Sequence, residues 1–484
     1  MTEETREQLE QANADLKEQV AQKDRRIEEL EARLMGALLR IEELERRAGK
    51  NSQNSSKPPS SDGLKHTVKP RAKKGKSSGG QAGHQGHTLL QVERPDQVVA
   101  HRPERCEACH YELGAVPGEI RERRQVYELP EMRMHVIEHQ VQAIGCPVCQ
   151  HMNAAHFPIG VDAPTQYGPR MQALAVYLSQ FQLLPMERLQ ELCRDVLGCH
   201  LSEGTLANWL AQAAKTLEPS MQHLKELLGR SRVMHADETG ARIKGILHWV
   251  HVAATPWLTY YAWHRKRGQE AMNAIGILPE YHGRLLHDRL SSYDGYSCEH
   301  SLCGAHLLRD CLGIAEQENH SWAQTMHDLL LCMLHAAHQW RLTGAKAVPK
   351  AERDALVLRY FEVLEQGFAA CQPRAPSLPK KLGRPKQSEA KNLLDALLKR
   401  AEQVLAFLDD LSIPFTNNLA ERDLRMIKVQ QKISGTFRSS QGATAFCAIR
   451  SYLSTMRKQG RSLLAAMSAV FEGSPFPIAW EPST

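Results

Sequence analysis

The chain of 484 residues has no apolar run approaching the ~18 residues that a membrane-spanning helix needs. Its opening stretch, Met1-Thr2-Glu3-Glu4-Thr5-Arg6-Glu7, is charged and has no apolar core of the kind a secretory signal uses. These two absences point to a cytoplasmic protein with no membrane partner. A strong overall charge is missing too, since the net value is +6. What charge there is sits in one place. Residues 51–90 carry seven Lys and Arg against one Asp, which equals the whole net charge. Such a segment suits a polyanionic partner. The length exceeds what one compact core supports, so about three or four domains are expected.

Residues 6–48 carry a heptad pattern, with Val20, Ile27, Leu34 and Ile41 at a and Leu9, Leu16, Leu30 and Leu44 at d. These residues predict a parallel coiled coil, with Asn13 and Lys23 interrupting the seam and fixing its register. The alternative is an amphipathic helix packed on the same chain. Residues 49–90 are rich in Ser, Gly, Pro and Lys and read as a flexible basic linker. Twelve cysteines follow from here on, and a reducing cytoplasm favours metal binding or burial over disulfides. Cys106-x-x-Cys109 and Cys146-x-x-Cys149, separated by 36 residues, predict a structural zinc site. Between them Gln125-Val126-Tyr127-Glu128-Leu129 has the composition of a strand.

Residues 168–217 read as a helix-turn-helix. Met171 to Phe181 is periodically apolar, Pro185 opens a second helix through Leu189, Leu192 and Val196, and Gly198 breaks it. Ser202 is placed to cap a third helix carrying Leu206, Trp209 and Leu210. A capped last helix of this kind lies in a DNA major groove, which makes Ser202 and Thr205 candidate DNA contacts.

From about residue 231 the pattern turns strand-like. Val233-Met234-His235-Ala236 runs into Asp237, Ile246 to Val252 and Trp257 to Trp263 follow, and Arg284-Leu285-Leu286-His287 ends at Asp288. A mostly helical stretch of roughly 305–410 separates these from Asn417-Asn418-Leu419-Ala420-Glu421-Arg422, which begins a helix. On that helix Glu421 shares a face with Arg425, Lys428 and Lys432, and Arg422 is adjacent, giving a cationic set suited to phosphates. The order of elements is that of a ribonuclease-H-like nuclease. In such a nuclease Asp237, Asp288 and Glu421 supply the hard oxygen ligands that a pair of Mg²⁺ or Mn²⁺ ions requires.

The chain resembles the bacterial insertion-sequence transposases of family sixty-six along nearly its whole length. The resemblance rests on the amino-terminal heptads, Asn54-Ser55-Ser56-Lys57-Pro58-Pro59-Ser60-Ser61-Asp62, Gly83-His84-Gln85-Gly86-His87 and the two cysteine pairs. It extends to Leu201-Ser202-Glu203-Gly204-Thr205-Leu206 and, most specifically, to Asn417 through Arg422. It implies a DDE transposase in which Asp237 is the first acid and Glu421 the last. The second acid is Asp288, with Tyr293 at the family's distance, although Asp294-Gly295-Tyr296 imitates the same motif. Cys303-Gly304-Ala305-His306 matches a Cys-x-x-His element of such transposases, which makes His306 either a catalytic-site residue or half of a buried structural pair. Gly383-Arg384-Pro385-Lys386 is similar to the core of an AT-hook, or is a loop.

The expected architecture is therefore multidomain α+β. It comprises a dimerising coiled coil at 1–48, a basic linker at 49–92, a zinc-binding module at 93–165 and a helix-turn-helix at 166–228. A ribonuclease-H-like α/β catalytic core follows at 229–475, with an all-helical insertion at about 312–412. The expected activity is metal-dependent cleavage and strand transfer of an insertion sequence whose terminal inverted repeats the protein binds. The alternatives are a regulatory DNA-binding derivative with a decayed nuclease, or a nuclease that does not integrate. Expected partners are double-stranded transposon ends and target DNA, a second copy of the chain or a higher oligomer, and small accessory proteins of the same element. The bacterial nucleoid is the expected location.

Overall fold

A computed structural model describes residues 89–371 and 387–480, together with Lys23 and Arg26. The heptads, the basic linker as far as residue 88 and Gly383-Arg384-Pro385-Lys386 lie outside the described residues. Two compact units divide the rest, one formed by residues up to 157 with 191–200 and the other by residues 158–190 and 201 onward.

The first unit has little regular structure. A short antiparallel ladder, β1 (Ala143–Gly145) with β2 (Met152–Ala154), flanks the second cysteine pair. The stretch Gln125–Leu129 is not a strand, contrary to its composition. Its side chains bond the backbone of an earlier segment in place of a ladder. Gln125 accepts from Val92 N–H at 2.8 Å and donates to Val92 O at 2.7 Å, and Tyr127 donates its hydroxyl to Leu90 O. Val98, Ile120, Val126 and Val136 remain exposed, so burial contributes little here.

The second unit opens with α1 (Pro169–Val176), continued by a π-helical turn at Tyr177–Phe181. Helix α2 (Met186–Leu197), whose residues from Glu191 on are counted with the first unit, leads to Gly198, whose φ of +63° is a left-handed conformation that glycine adopts without strain. Ser202 then caps α3 (Glu203–Thr216) by accepting the Thr205 amide at 3.0 Å. Leu206, Trp209, Leu210 and Ala213 form its buried face. Helix α4 (Glu218–Gly229) completes the helical lead-in.

A five-stranded mixed sheet follows, made of β3 (Val233–Ile243), β4 (Ile246–Ala254), β5 (Thr259–His264), β6 (Arg284–His287) and β7 (Glu299–Leu302), in spatial order β5-β4-β3-β6-β7. Strands β3 to β5 form an antiparallel meander, and α5 (Gln269–Ile275) carries the chain across to β6, which pairs parallel to β3. Strand β7 pairs parallel to β6. Helices α6 (Gly304–Glu318), α7 (Ser321–Leu342), α8 (Lys350–Ala370), α9 (Glu389–Lys399) and α10 (Ala401–Asp409) come next. They enclose a core containing Trp322, Met326, Leu330, Tyr360 and Leu394.

The chain closes with α11 (Asn418–Ser434), α12 (Ser440–Lys458) and α13 (Leu463–Phe471). Helix α11 lies on β3 and β4, and α12 lies on β5 and α3. Leu424 and Ile427 of α11 pack with Val250, Val252 and Tyr261 beneath the sheet, each worth about 2 kcal/mol of burial. The architecture is mixed α/β and compatible with a ribonuclease-H-like core. No helix among the described residues is long and apolar enough to cross a membrane.

Candidate functional site

The site begins with strand register. Val233, Met234 and His235 of β3 pair with Arg284, Leu285 and Leu286 of β6. The same register continued two residues places Asp237 beside Asp288. Side chains at equal register on parallel neighbours project from one face, about 4.8 Å apart. Carboxylate oxygens of Asp237, Glu238 and Asp288 accordingly lie within 4.8 Å of one another.

Such crowding is unfavourable without a cation. Desolvation pushes the Asp237 carboxyl well above the ordinary carboxylate range, and the charges of Glu238, Asp288 and Glu421 push it further. Glu238 is handled differently. Its side chain is fully buried, takes an ion pair from Arg267 at 2.7 Å and accepts the Tyr293 hydroxyl at 2.7 Å. Arg267 in turn stacks over Trp249, with its guanidinium 4.8 Å from the ring centroid. Burial still raises the Glu238 carboxyl, with Asp288 adding to the rise. Asp237 and Asp288 are thus the acids with no cationic side chain among their hydrogen-bond and ion-pair partners. Asp237 accepts the Glu238 amide, and Asp288 accepts the Leu290 amide at 2.9 Å. These oxygen donors suit a hard divalent ion.

Asp294 is exposed and holds Arg400 at 2.5 Å, away from this group. Its neighbour Tyr293 is the residue that reaches the centre, through Glu238.

Glu421 enters from the first turn of α11, and Asn417 holds that helix start. Asn417 is buried; its amide side chain donates to Ala236 O at 2.8 Å and accepts from His235 Nδ1 at 3.0 Å. Its backbone N–H donates to Cys303 Sγ at 3.1 Å. The helix is therefore pinned to β3 beside Asp237. Ala420 is wholly buried against the sheet, which explains a small residue one position before the acid. On the opposite side of α11, Asp423 accepts from Lys458 at 3.0 Å and from Thr259 at 3.0 Å.

Glu421 also meets Cys303 and His306 at the start of α6. Its Oε1 lies 3.7 Å from Cys303 Sγ and 3.6 Å from His306 Nδ1. A Cβ on Gly304 would fall 2.2 Å from the Phe415 ring, so glycine alone allows this approach. Burial lowers the His306 pKa to about 4, aided by Arg309 and Arg289, so the ring is neutral at pH 7.

The cationic residues of α11 fare unequally. Arg422, Arg425 and Lys432 are exposed, whereas Lys428 is half-buried and donates to Gly240 O at 2.7 Å. At the other candidate DNA contact, the Ser202 and Thr205 hydroxyls bond each other at 2.8 Å while Ser202 caps α3.

The two cysteine pairs are built alike. In each, the first cysteine's amide bonds a carbonyl five residues on, to Tyr111 O or His151 O. Its own carbonyl accepts from His110 or Gln150, and those two residues share a left-handed φ of 59° and 62°. Backbone amides aimed at Cys106 and Cys146, led by those of Cys109 and Cys149, lower both thiols. The four sulfurs are not drawn into one group; among the described residues, three or more ligand atoms within 4.8 Å occur only in the two clusters above.

Sequence reasoning missed Glu238, Arg267 and Asn417. The spacing of Tyr293 after Asp288 was the available signal for Glu238, since that hydroxyl needs an acceptor.

Two family profiles match the chain. A family of unknown function, DUF6444, covers residues 2–89, and the transposase IS66 family covers residues 164–445. No curated protein matches. The second match spans more than half of the sequence and includes every strand of the five-stranded sheet, all three acids and the Cys303–His306 element, so the chain belongs to the transposase IS66 family.

Proposed function

We propose that this protein cuts the ends of an insertion sequence and joins them to target DNA, using Asp237, Asp288 and Glu421 as a two-metal nuclease centre. The observation that carries the reading is the gathering of the Asp237, Glu238 and Asp288 oxygens within 4.8 Å of one another, where β3 runs on past its parallel pairing with β6 and Asp288 follows the end of β6. The residues suit Mg²⁺ or Mn²⁺, which when bound would lower the pKa of an attacking water or 3′-hydroxyl and stabilise the leaving oxygen. Asp237 and Asp288 hold the hard ligand positions. Glu421 completes the set from α11, and Asn417 fixes its distance from β3. Arg267 keeps Glu238 paired, which leaves Asp237 and Asp288 as the ligands. His306, 3.6 Å from Glu421, belongs to the catalytic site.

The remaining assignments belong to the same proposal. Residues 1–48 pair two protomers or build a higher oligomer, and 49–92 form a basic tether. The module at 93–165 is closed by structural Zn²⁺ on Cys106, Cys109, Cys146 and Cys149. The region 166–228 reads the terminal inverted repeats, with Ser202 and Thr205 at the leading end of α3. The core spans 229–475, with a helical insertion at about 312–412, and the exposed Arg422, Arg425 and Lys432 face DNA phosphates, while Lys428 is held by the Gly240 carbonyl. Small accessory proteins of the element join the complex, which works on the bacterial nucleoid.

Incubating the protein with a labelled duplex carrying the element's ends and with Mg²⁺ tests the reading. Nicked ends and joined strand-transfer products are expected from the parent and neither from Asp237→Ala. Cut ends without joined products would reduce the function to that of a nuclease, and cleavage by Asp237→Ala would overturn the site.

A further inference from the structure

The cluster of Cys303, His306 and Glu421 differs in chemistry from the carboxylates beside it. It offers one sulfur, one ring nitrogen and one carboxylate oxygen, all within 4.8 Å. Around a tetrahedral zinc with bonds of ~2.0 Å to nitrogen and oxygen and ~2.3 Å to sulfur, nitrogen and oxygen ligands stand about 3.3 Å apart. Sulfur and oxygen ligands stand about 3.5 Å apart. The separations in the protein are 3.6 Å and 3.7 Å. Both exceed ligand spacing by only about 0.2 to 0.3 Å, so small side-chain shifts would close them on an ion.

Two further observations point to a ligand. His306 Nδ1 is buried, makes no hydrogen bond and faces the Glu421 carboxylate at 3.6 Å. Cys303 Sγ accepts the Asn417 amide at 3.1 Å and points its thiol at Glu421 Oε1, 3.7 Å away, so the sulfur is held facing the carboxylate. The Cys-x-x-His spacing at the first turn of α6 brings both donors to one side of the helix start. Sulfur and imidazole select borderline ions such as zinc or cobalt, whereas the oxygens of Asp237 and Asp288 select magnesium or manganese.

We propose that Cys303, His306 and Glu421 form a second metal site, for a borderline transition ion such as zinc, which shares Glu421 with the carboxylate centre. Binding displaces the Cys303 proton to solvent and leaves the thiolate, imidazole and carboxylate as three protein ligands with one position open. An ion seated there takes Glu421 away from the magnesium centre, so zinc acts as a brake on cleavage. The braking role rests on the function proposed above; the binding does not.

The test is a metal count on the full chain, stripped with a chelator, reloaded with zinc and desalted, for the parent, Cys303→Ser and His306→Asn. Each variant is expected to hold one zinc per chain fewer than the parent, with any zinc on the cysteine pairs common to all three. Cobalt substitution gives a second readout. The parent-minus-His306→Asn difference spectrum is expected to show tetrahedral ligand-field bands and a thiolate charge-transfer band. Glu421→Gln, at a partly exposed position that leaves the helix packing intact, is expected to weaken zinc binding by about 10-fold or more. Equal zinc in the parent, Cys303→Ser and His306→Asn would overturn the site, and unchanged affinity in Glu421→Gln would remove the third ligand. Because the readout is bound metal, a chain that binds zinc and cuts no DNA supports this site while contradicting the function above.

Discussion

The acidic group and the cysteine pairs are both proposed as metal ligands, and the chain holds them in opposite ways. Asp237 and Asp288 are brought together by the register of β3 and β6, and buried apolar residues such as Leu285, Leu286 and Met234 keep that register. The packing of the sheet offsets the repulsion between the acids. The cysteine knuckles are each well formed by local backbone bonds, but the unit that carries them leaves Val98, Ile120 and Val126 in water. A unit with so little burial depends on cross-links for stability. The difference teaches that sheet packing gathers one set into a single group, while local backbone turns shape the other as two separate pairs.

The comparison breaks most directly at the acids. Asp237→Ala and Asp288→Ala are each expected to reduce DNA cleavage by about 10³-fold or more, with the pair of substitutions no worse than either one. Circular dichroism is expected to show their secondary structure unchanged. Cys146→Ser combined with Cys149→Ser should do the reverse. Zinc content falls and limited proteolysis opens residues 89–157, while the fragment containing the sheet persists; an undigested module in the metal-free variant would contradict a zinc-dependent unit.

A smaller effect tests how α11 is aimed. Asp423→Asn leaves the Lys458 ammonium without its partner in a mostly buried position, for a loss of about 3 kcal/mol in denaturant titration. Smaller still is a pH effect. The folded-state pKa of Asp237 lies above its ordinary value, so its contribution is favourable at acid pH and is lost as pH rises through the raised value. In chelator, Asp237→Asn should therefore be more stable than the parent at pH 7, with the gap closing as the pH falls. Added Mg²⁺ should narrow the gap at pH 7 by stabilising the parent alone. Asp294→Ala marks the bottom of the scale for cleavage, which should match the parent, although the mostly buried Arg400 loses its partner and stability falls.

Much of the catalytic half was legible in the sequence, because the signals there are local. Arg284–His287 is a strand that stops immediately before Asp288, and the helix carrying Glu421 starts at Asn418. The Ser202 cap and the Gly198 break were legible for the same reason. What escaped depends on partners distant in sequence. Glu238 acquires Arg267 and Tyr293 only after β3, the β5–α5 connection and the segment after β6 are assembled. Lys428 falls on the cationic face by periodicity, yet packing of α11 on β3 turns it to the Gly240 carbonyl. Gln125–Leu129 has strand composition but meets side-chain bonding to residues 90–92 in place of a neighbouring strand.

The measurement that tests the central claim most directly is mobility of a marked element, bounded by the DNA ends this protein recognises, in cells that also supply the element's other genes. The parent is compared with Asp237→Ala, Asp288→Ala, Glu421→Ala and Asp294→Ala at matched expression. Movement in the parent and in Asp294→Ala, and in none of the other three, is the predicted result. Movement that survives Asp288→Ala but not Asp294→Ala would contradict the site built from the β3–β6 register.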